Sequence, residues 1–211
     1  MTAQPTAAPG PVSRAEETRQ RFVDAAVTLF KEHGYGATSM SQVAAAAGSS
    51  RANLYLYFHS KSEIVLEWML ELRPELDRIY SQLDHLPEYS VQSCRAWLAQ
   101  VVAVWRAHPE ELDAMEQAMT EDSDVHRARV ELCRETAAGL QALRRGSGNH
   151  QGGELPSREL AARQVHMVSL MLGTESCLSS MVLHEAILDD DLFLNALASQ
   201  WSTLLNGLTH C

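Results

Sequence analysis

Cysteine is scarce in this 211-residue sequence, and its four cysteines form no recognisable pattern. Cys94, Cys133, Cys177 and Cys211 stand far apart, and no two of them make a Cys-x-x-Cys pair. Zinc-binding domains and small disulfide-stapled domains carry cysteines at short, regular spacings. The sequence therefore indicates neither class, and we expect reduced thiols, as in an intracellular protein.

Long uncharged apolar stretches are missing as well. Between Arg163 and Glu175 there are only eleven uncharged residues, whereas a helix needs about 20 apolar residues to cross a bilayer. Residues 1–13 contain three prolines, with neither the basic start nor the apolar centre of a signal peptide. We therefore expect a cytoplasmic protein without membrane segments, in which residues 1–13 form a flexible arm.

Basic charge is in short supply. The chain has 17 Lys and Arg against 27 Asp and Glu, a formal net charge of −10, which argues against binding nucleic acid by bulk charge alone. The distribution of charge is uneven, however. Residues 1–61 hold six basic and four acidic side chains, a net charge of +2, so the remaining 150 residues carry −12. This split predicts a mildly basic head on an acidic body.

Catalytic and cofactor-binding motifs are absent from the sequence. It contains neither the His-Glu-x-x-His of zinc proteases nor the Gly-x-Ser-x-Gly of serine hydrolases. The glycine-rich run at 146–152 has the wrong spacing for a dinucleotide-binding turn and follows no predicted strand. The nine histidines are scattered singly. We therefore expect no enzymatic activity, no metal site and no cofactor.

Helical periodicity, by contrast, extends from Ser13 to the end of the sequence. Apolar residues recur every three or four positions, and no alternating strand pattern interrupts them. Three Ser-x-x-Glu or Ser-x-x-Gln sequences, the signature of a helix-capping box, begin at Ser13, Ser39 and Ser60. Gly34 and Gly48 follow two of the apolar faces and predict helix ends. The fold class is therefore predicted to be all-α.

The predicted helices differ in length and in the breadth of their apolar faces. The first four occupy 13–34, 39–48, 50–58 and 61–83, and Pro74 is expected to bend or divide the last of these. Later helices are predicted at 91–108, from 109, at 123–145, at 157–187 and from 190, with a loop at 146–157. The last two are apolar over so much of their surface that one chain is not expected to cover them.

The two short helices at 39–48 and 50–58 have the spacing of a helix-turn-helix. Ala44 is small enough for the helices to cross closely, and Gly48 can adopt the left-handed backbone of a tight turn. Leu54 supplies an apolar contact that holds the second helix. This arrangement predicts that one polar face of the second helix points outward.

The stretch 38–65, TSMSQVAAAAGSSRANLYLYFHSKSEIV, strongly resembles the DNA-binding head of the TetR family of bacterial transcriptional regulators. The resemblance covers about residues 14–72. The shared positions, in chain order, are Phe30, Gly34, Tyr35, Thr38, Ser39, Ala47, Gly48, Ser50, Leu54, Tyr55, Tyr57, Phe58, Ser60, Lys61 and Glu63. Three positions depart from the family pattern: Ser49 replaces an apolar residue, Ala52 a glycine, and Leu56 a polar or aromatic residue.

The resemblance implies that the second helix of the motif enters the major groove of double-stranded DNA. Arg51 can bridge two acceptors of guanine and Asn53 can pair with adenine, so these two are assigned to base reading. Neighbouring hydroxyl, phenol and ammonium groups are assigned to phosphates. The predicted DNA-binding residues are Thr38, Ser39, Ser41, Ser50, Arg51, Asn53, Tyr55, Tyr57 and Lys61. For Tyr57 the alternative is that its ring packs on the first helix.

The resemblance also implies a body in which the late helices pair two copies of the chain and the middle helices enclose a small-molecule pocket. It divides the chain into the arm at 1–13, a three-helix DNA-binding domain at 14–60 and a ligand-binding and dimerisation domain at 61–211. Small residues at steps of three and four along 157–187 would let two helices approach closely. The predicted dimer interface comprises Ser169, Gly173, Ser176, Ser180, Phe193, Leu197, Trp201 and Leu204.

Tryptophan and methionine side chains on the middle helices are candidates for the pocket, because they can adapt to varied apolar ligands. The candidate ligand-binding residues are Trp97, Val101, Trp105, Met115, Met119, His126, Cys133, His166, Met167, Met171 and Glu175. For the apolar ones the alternative is ordinary core packing. Glu175 is the only charge between Arg163 and Glu185, and three roles stay open for it: binding a cationic ligand, pairing across the dimer, or reaching solvent.

These features predict a homodimeric, ligand-responsive, DNA-binding transcriptional regulator. In this hypothesis it is a repressor that a small lipophilic effector releases from a palindromic operator. Two alternatives involve no DNA binding. One is a helical small-molecule carrier, and the other is a protein-interaction module that uses the apolar late helices.

Overall fold

The structure, a computed structural model, describes residues 13–141, 143, 157–184 and 189–210 of the chain. In these ranges every regular element is a helix, which confirms the predicted all-α class. Apart from Ser13, the predicted arm at 1–13 lies outside the described residues. So does the predicted loop at 146–157, apart from Ser157.

Nine α-helices fall within the described ranges. They are α1 (Arg14–His33), α2 (Met40–Ala46), α3 (Arg51–Leu54), α4 (Lys61–Ser81), α5 (Val91–Ala107), α6 (Pro109–Glu121), α7 (Ser123–Gly139), α8 (Ser157–Val182) and α9 (Asp190–His210). A short 3-10 helix, Gln82–His85, follows α4. We call α1–α3 the head and α4–α9 the body.

Local capping sets the starts of the helices in the head. The Ser13 hydroxyl accepts a hydrogen bond from the Glu16 amide at 3.2 Å, and the Glu16 carboxylate accepts one from the Ser13 amide at 2.7 Å. The same reciprocal box begins α2. At Ser60 only the first half of the box forms, because the Glu63 carboxylate accepts instead from the His59 amide at 2.7 Å. Two of the three predicted boxes are therefore confirmed in full.

Three helices end four or more residues before their predicted ends. α3 ends at Leu54 instead of Phe58, because the Leu56 and Tyr57 amides donate to carbonyls only three residues back, those of Asn53 and Leu54, at 3.1 and 2.9 Å. α7 ends at Gly139 and α8 at Val182, before the predicted positions 145 and 187.

Helix α4 continues through Pro74 without being divided. Met69 on one side of the proline and Ile79 on the other are both buried in the core. Pro74 itself is exposed, so its ring faces solvent. Packing on both sides thus outweighs the helix-breaking tendency of proline.

The head has a buried apolar core to which each of its helices contributes. Phe22 of α1, Val43 of α2, Leu54 of α3 and Ile64 at the start of α4 are all 0% exposed. Burying a side chain of this size stabilises the fold by about 1.5–3 kcal/mol. The core therefore gives α3 a rigid base.

The body is centred on an aromatic cluster that joins α4, α5 and α9. The ring centroids of Trp97 and Trp201 lie 4.6 Å apart, and Tyr80 lies 5.4 Å from Trp97 and 6.1 Å from Trp201. Both indole N–H groups are satisfied at 2.9 Å, by the Ile79 carbonyl and by the Thr174 hydroxyl. The cluster fixes the late helix α9 against the middle of the body.

One buried carboxylate joins the head to the body. Glu111, in the first turn of α6, is 5% exposed, and its side chain lies 2.7 Å from the ammonium of Lys31 in α1. The His108 ring lies 3.5 Å from the same carboxylate. Because removing a partner from a buried charge is costly, α1 and α6 are expected to move together.

Candidate functional site

The turn between α2 and α3 is built from backbone hydrogen bonds and one left-handed glycine. Gly48 has a φ of +63°, a conformation that is costly for any residue with a Cβ. The Ser49 amide donates to the Ala44 carbonyl at 2.9 Å, and the Ser50 hydroxyl caps α3 by accepting from the Asn53 amide at 3.1 Å. Since Ala44 is 2% exposed, the two helices cross closely, as the sequence predicted.

The outward face of this motif is polar. Ser39, Ser41, Ser50 and Arg51 are exposed. Asn53, Tyr55 and Tyr57 are partly exposed beside them. Hydroxyl, guanidinium and carboxamide groups on one face of a short helix can contact both phosphates and base edges.

Neighbouring side chains orient the two predicted base-reading residues. The Arg51 guanidinium donates to the Tyr55 hydroxyl at 3.3 Å and lies 5.4 Å from the centre of its ring. The Asn53 carboxamide donates to the Ser49 hydroxyl at 2.9 Å. A guanidinium has five donors, so Arg51 keeps free donors for a ligand while Tyr55 holds it in place.

Three residues of the predicted DNA set make contacts inside the head. Thr38 is 2% exposed, and its hydroxyl donates to the Gly34 carbonyl at 2.9 Å. The Tyr57 ring lies 5.6 Å from that of Phe22 in α1, which is the alternative considered for it. The Lys61 ammonium donates to the Tyr35 carbonyl at 2.7 Å. Thr38 and Tyr57 are therefore left out of the DNA surface proposed below.

Leu56 is a feature that the assignment of polar residues missed. Its side chain is 80% exposed, although it lies between the two tyrosines of the polar face. The available signal was its departure from the family pattern. An exposed leucine on this face is suited to an apolar group in a DNA groove.

A bidentate ion pair fixes α1 against α4 behind the motif. The Arg19 Nε and Nη2 atoms donate to the two carboxylate oxygens of Glu67 at 2.7 and 2.6 Å. These hydrogen bonds lower the pKa of the Glu67 carboxyl. The Arg19 guanidinium also lies 4.5 Å from the centre of the Phe58 ring, so this pair sets the orientation of α1.

An open groove of about 850 Å³ lies between α8 and α9. Of the predicted dimer residues, Ser169 and Leu204 line it. Gly173 and Ser176 are exposed, and Ser180, Phe193 and Leu204 are partly buried. Leu197 and Trp201 are 2% and 0% exposed. These last two side chains pack inside the chain, not on its surface.

The structure does not bring the predicted pocket residues together in one cavity. Trp97, Val101, Trp105, Met115, Cys133, Met167 and Met171 are buried, and Met119 is partly buried. His126 is exposed, and His166 lines the groove between α8 and α9. Most of the set thus belongs to the packed core.

A small polar cavity, of about 20 Å³, lies inside the body. Its lining residues come from α4, α7 and α8 and include Met171, Cys133 and Glu175 of the predicted set. The Glu175 carboxylate forms an ion pair with the Arg129 guanidinium of α7, and both side chains are almost buried. Within the chain Glu175 thus has a partner that the sequence analysis did not consider, an arginine 46 positions away.

Burial perturbs the groups around this cavity. It raises the pKa of the Tyr80 hydroxyl and the pKa of the Cys133 thiol. Elsewhere in the described ranges, no cluster of three His, Cys, Asp or Glu side chains is suited to a metal ion. The helices of those ranges include none with the length and apolar character needed to span a membrane.

The sequence of this chain is similar to those of known proteins over the region that contains the motif. The family model for bacterial regulatory proteins of the tetR family matches residues 22–68. The HTH-type transcriptional regulator SrpR of Pseudomonas putida is 34% identical over 92 residues, which are 44% of this chain and 40% of SrpR. The matched segment thus spans less than half the length of that relative.

Solved structures resemble the chain over almost its whole length. A TetR transcriptional regulator from Rhodococcus sp. RHA1 matches with a TM-score of 0.60 and 18% identity, covering 94% of this chain and all (100%) of that one. The regulator FadR of Bacillus subtilis, solved in complex with stearoyl-CoA, matches with a TM-score of 0.51 and 15% identity over 90% of this chain and 99% of FadR. Residues 22–68 therefore match the tetR family model, and the chain as a whole has the fold of solved TetR-type regulators.

Proposed function

We propose that this chain is a ligand-responsive transcriptional regulator whose head binds double-stranded DNA. The polar outward face of α3, held by the Gly48 turn, is the observation that carries the proposal. Arg51 and Asn53 read bases in the major groove, while Ser39, Ser41, Ser50, Tyr55 and Lys61 contact phosphates. The relationship of residues 22–68 to the tetR family supports the same assignment.

In this proposal the chain works in two parts. Residues 14–60 form the DNA-binding domain, and residues 61–211 bind the effector and a second copy of the chain. The site of action is the cytoplasm, where bacterial DNA lies. No catalytic step is required, because binding to DNA is itself the output.

The chain binds a palindromic operator as a homodimer. A two-fold dimer presents two heads to half-sites about 34–36 Å apart. It also compensates for the weak charge of a single head, since the phosphate contacts of both heads act together. The groove between α8 and α9, with exposed Gly173 and Ser176 nearby, is the surface on which the second copy packs.

The effector acts as a release signal. A small lipophilic molecule that binds the body and favours one arrangement of α4 and α6 would change the separation of the two heads. The contact between Lys31 and Glu111 offers a route from α6 to α1. The dimer would then leave its operator, so the chain acts as a repressor.

DNA binding is tested with the purified full-length chain and fragments from upstream of its own gene. The association constant should fall steeply with rising salt, because phosphate contacts displace condensed cations. Arg51→Ala should weaken specific binding by about 1–3 kcal/mol. Arg134→Ala, which removes an exposed arginine from α7 in the body, should leave it unchanged.

The two alternatives predict a different outcome. A small-molecule carrier or a protein-interaction module would show no sequence-specific retention of DNA at any salt concentration. Equal losses for Arg51→Ala and Arg134→Ala would also contradict the assignment of α3 as the reading helix.

A further inference from the structure

The polar cavity between α4, α7 and α8 contains two buried donor atoms that no described residue satisfies. They are the Tyr80 hydroxyl oxygen and the Nε atom of Arg129. Both residues line the same cavity, and the Arg129 charge acts on the Tyr80 hydroxyl. Buried polar groups are almost always paired, so this pair of unsatisfied groups marks a place where a partner belongs.

Neither group can turn away to find another partner. Tyr80 is 2% exposed, and its ring is packed against Trp97 and Trp201. The Arg129 guanidinium is fixed at its other end by the ion pair with Glu175. A hydrogen-bond partner for the Tyr80 hydroxyl and the Arg129 Nε atom must therefore be a molecule that enters the cavity.

The chemistry of the two groups identifies that partner as an acceptor. An arginine Nε can only donate, and a tyrosine hydroxyl that keeps its proton can donate as well. Because burial raises the pKa of Tyr80, the hydroxyl keeps its proton at neutral pH. One oxygen with two lone pairs, such as a carbonyl oxygen, can accept from both.

The charges around the cavity disfavour an anionic ligand. The charge of Arg129 is balanced by Glu175, and that of Arg73 by Asp77 at 3.1 Å and Glu135 at 2.5 Å. Two cations thus face three carboxylates, and no positive charge remains for an added anion. A buried charge without a counter-charge is costly, so the acceptor oxygen should belong to a neutral molecule.

The rest of the wall is apolar and adaptable. Met69, Leu76, Leu132 and Met171 line the cavity beside the polar groups. At about 20 Å³ the described cavity has room for one water-sized group. Unbranched methionine side chains can rotate to enlarge the cavity. The enlarged cavity can then accommodate the apolar part of a ligand whose oxygen lies near Tyr80 and Arg129.

We infer that this cavity binds a neutral, largely apolar molecule through a single carbonyl oxygen, which accepts hydrogen bonds from Tyr80 and Arg129. The inference rests on the proposed function, because it names the chemical class of the effector. It assigns Tyr80 and Arg129 as the residues that select a carbonyl over a hydrocarbon. Glu175 is a positioning residue, which holds the guanidinium in place.

Four molecules of nearly equal size separate the possible ligand classes: acetophenone, ethylbenzene, benzoate and benzylammonium. Their binding to the full-length protein is measured without DNA, by ligand-observed NMR and calorimetry. Acetophenone should bind at least about tenfold more tightly than each of the other three, because only it supplies a neutral acceptor.

Variants then locate the interaction. Tyr80→Phe should reduce acetophenone affinity about tenfold and leave ethylbenzene affinity unchanged, because it removes one hydroxyl and little volume. Arg129→Lys keeps a positive charge for Glu175 but removes the Nε donor, and it should have the same effect. Tyr89→Phe, which removes a hydroxyl from a tyrosine outside the cavity lining, should bind all four molecules as the unchanged protein does.

Several results would overturn the inference. Equal binding of acetophenone and ethylbenzene would mean that no acceptor is recognised, and tighter binding of benzoate or benzylammonium would assign the site to an ion. No acetophenone binding at millimolar concentration would mean that the cavity holds only water. Failure of the proposed function is distinguishable, because it would appear as a protein that binds acetophenone and retains no DNA.

Discussion

At the scale of single residues, the exposed side chain of Leu56 calls for an explanation. It is 80% exposed, whereas Leu54 and Phe58 on either side are 0% exposed. The methyl group of thymine is the apolar feature that the major groove offers to such a side chain. Under the proposed function, Leu56 therefore contributes to sequence selection through a thymine.

Replacing thymine by deoxyuridine tests this role, because the exchange removes only the methyl group. On an operator obtained by in vitro selection, the unchanged protein should lose about 1 kcal/mol of binding free energy at one or two thymine positions. Leu56→Ala should bind more weakly and be insensitive to the exchange at those positions. Binding is measured by fluorescence anisotropy.

A leucine in the body provides the matched control. Leu70 of α4 is 51% exposed, and Leu70→Ala should keep the full sensitivity to deoxyuridine. If Leu56→Ala responds to every exchange as the unchanged protein does, Leu56 does not contact a thymine methyl.

The sequence predicted residue roles well where they depend on neighbours along the chain. Gly48 was assigned to the turn from its neighbours in the sequence alone. Its φ of +63° confirms the predicted left-handed backbone. Roles that depend on distant partners were not predictable. The partner of Glu175 is Arg129, 46 positions away, and no spacing rule connects them. Thr38 looked like a polar surface residue, but its burial depends on how α1 packs over it.

At the scale of elements, capping and periodicity predicted which helices exist, and tertiary contacts decided where several of them end. Serine caps act within four residues, so the starts of α1 and α2 were correct. The end of α3 was not, because turn hydrogen bonds follow Leu54, where the Tyr57 ring packs on α1. The course of α4 past Pro74 likewise depends on packing that the sequence does not display.

The ion pair between α1 and α4 makes the stability of the head depend on pH. The hydrogen bonds from Arg19 lower the pKa of Glu67 from its ordinary value. A carboxyl with a lowered folded-state pKa stabilises the fold above its unfolded value, about 4.3, and this contribution is lost as pH falls through the folded pKa. The coupling between α1 and α4 should therefore weaken in acid.

A double-mutant cycle measures that coupling. Urea unfolding of the unchanged protein, Arg19→Gln, Glu67→Gln and the double variant should give a coupling free energy that is largest near pH 7 and shrinks below about pH 4. Because both side chains are partly exposed, at 39% and 28%, the coupling should also weaken with added salt. A coupling free energy that stays constant across this pH range would contradict the assigned role of the pair.

At the scale of the whole molecule, the proposed DNA-reading face and the proposed effector cavity lie in separate regions of the chain. Residues 1–61, which include the head, carry a net charge of +2 and the remaining residues carry −12, so the acidic part of the chain repels DNA phosphates. This favours an orientation in which only the heads approach DNA. Under the proposed function a second copy is expected, because one mildly basic head makes few phosphate contacts.

The dimer can be tested with two exposed helical glycines, one inside α8 and one at the end of α7. Gly173 in α8 and Gly139 in α7 both lie in helices, and a Cβ at either position would meet nothing within 4 Å. Only Gly173 belongs to the proposed dimer surface. In a two-fold interface, Gly173→Glu brings two like charges toward each other. It should raise the dimer dissociation constant at least about tenfold, whereas Gly139→Glu should not.

Light scattering coupled to size-exclusion chromatography gives the mass, which should be twice the chain mass for the unchanged protein and for Gly139→Glu. DNA binding provides an independent readout. Gly173→Glu should lose affinity for the full palindrome while keeping its affinity for an isolated half-site, because each head is intact. A single-chain mass for the unchanged protein on its operator, or equal dissociation constants for the two variants, would remove α8 from the dimer surface. Any DNA binding would then have to be attributed to a single head.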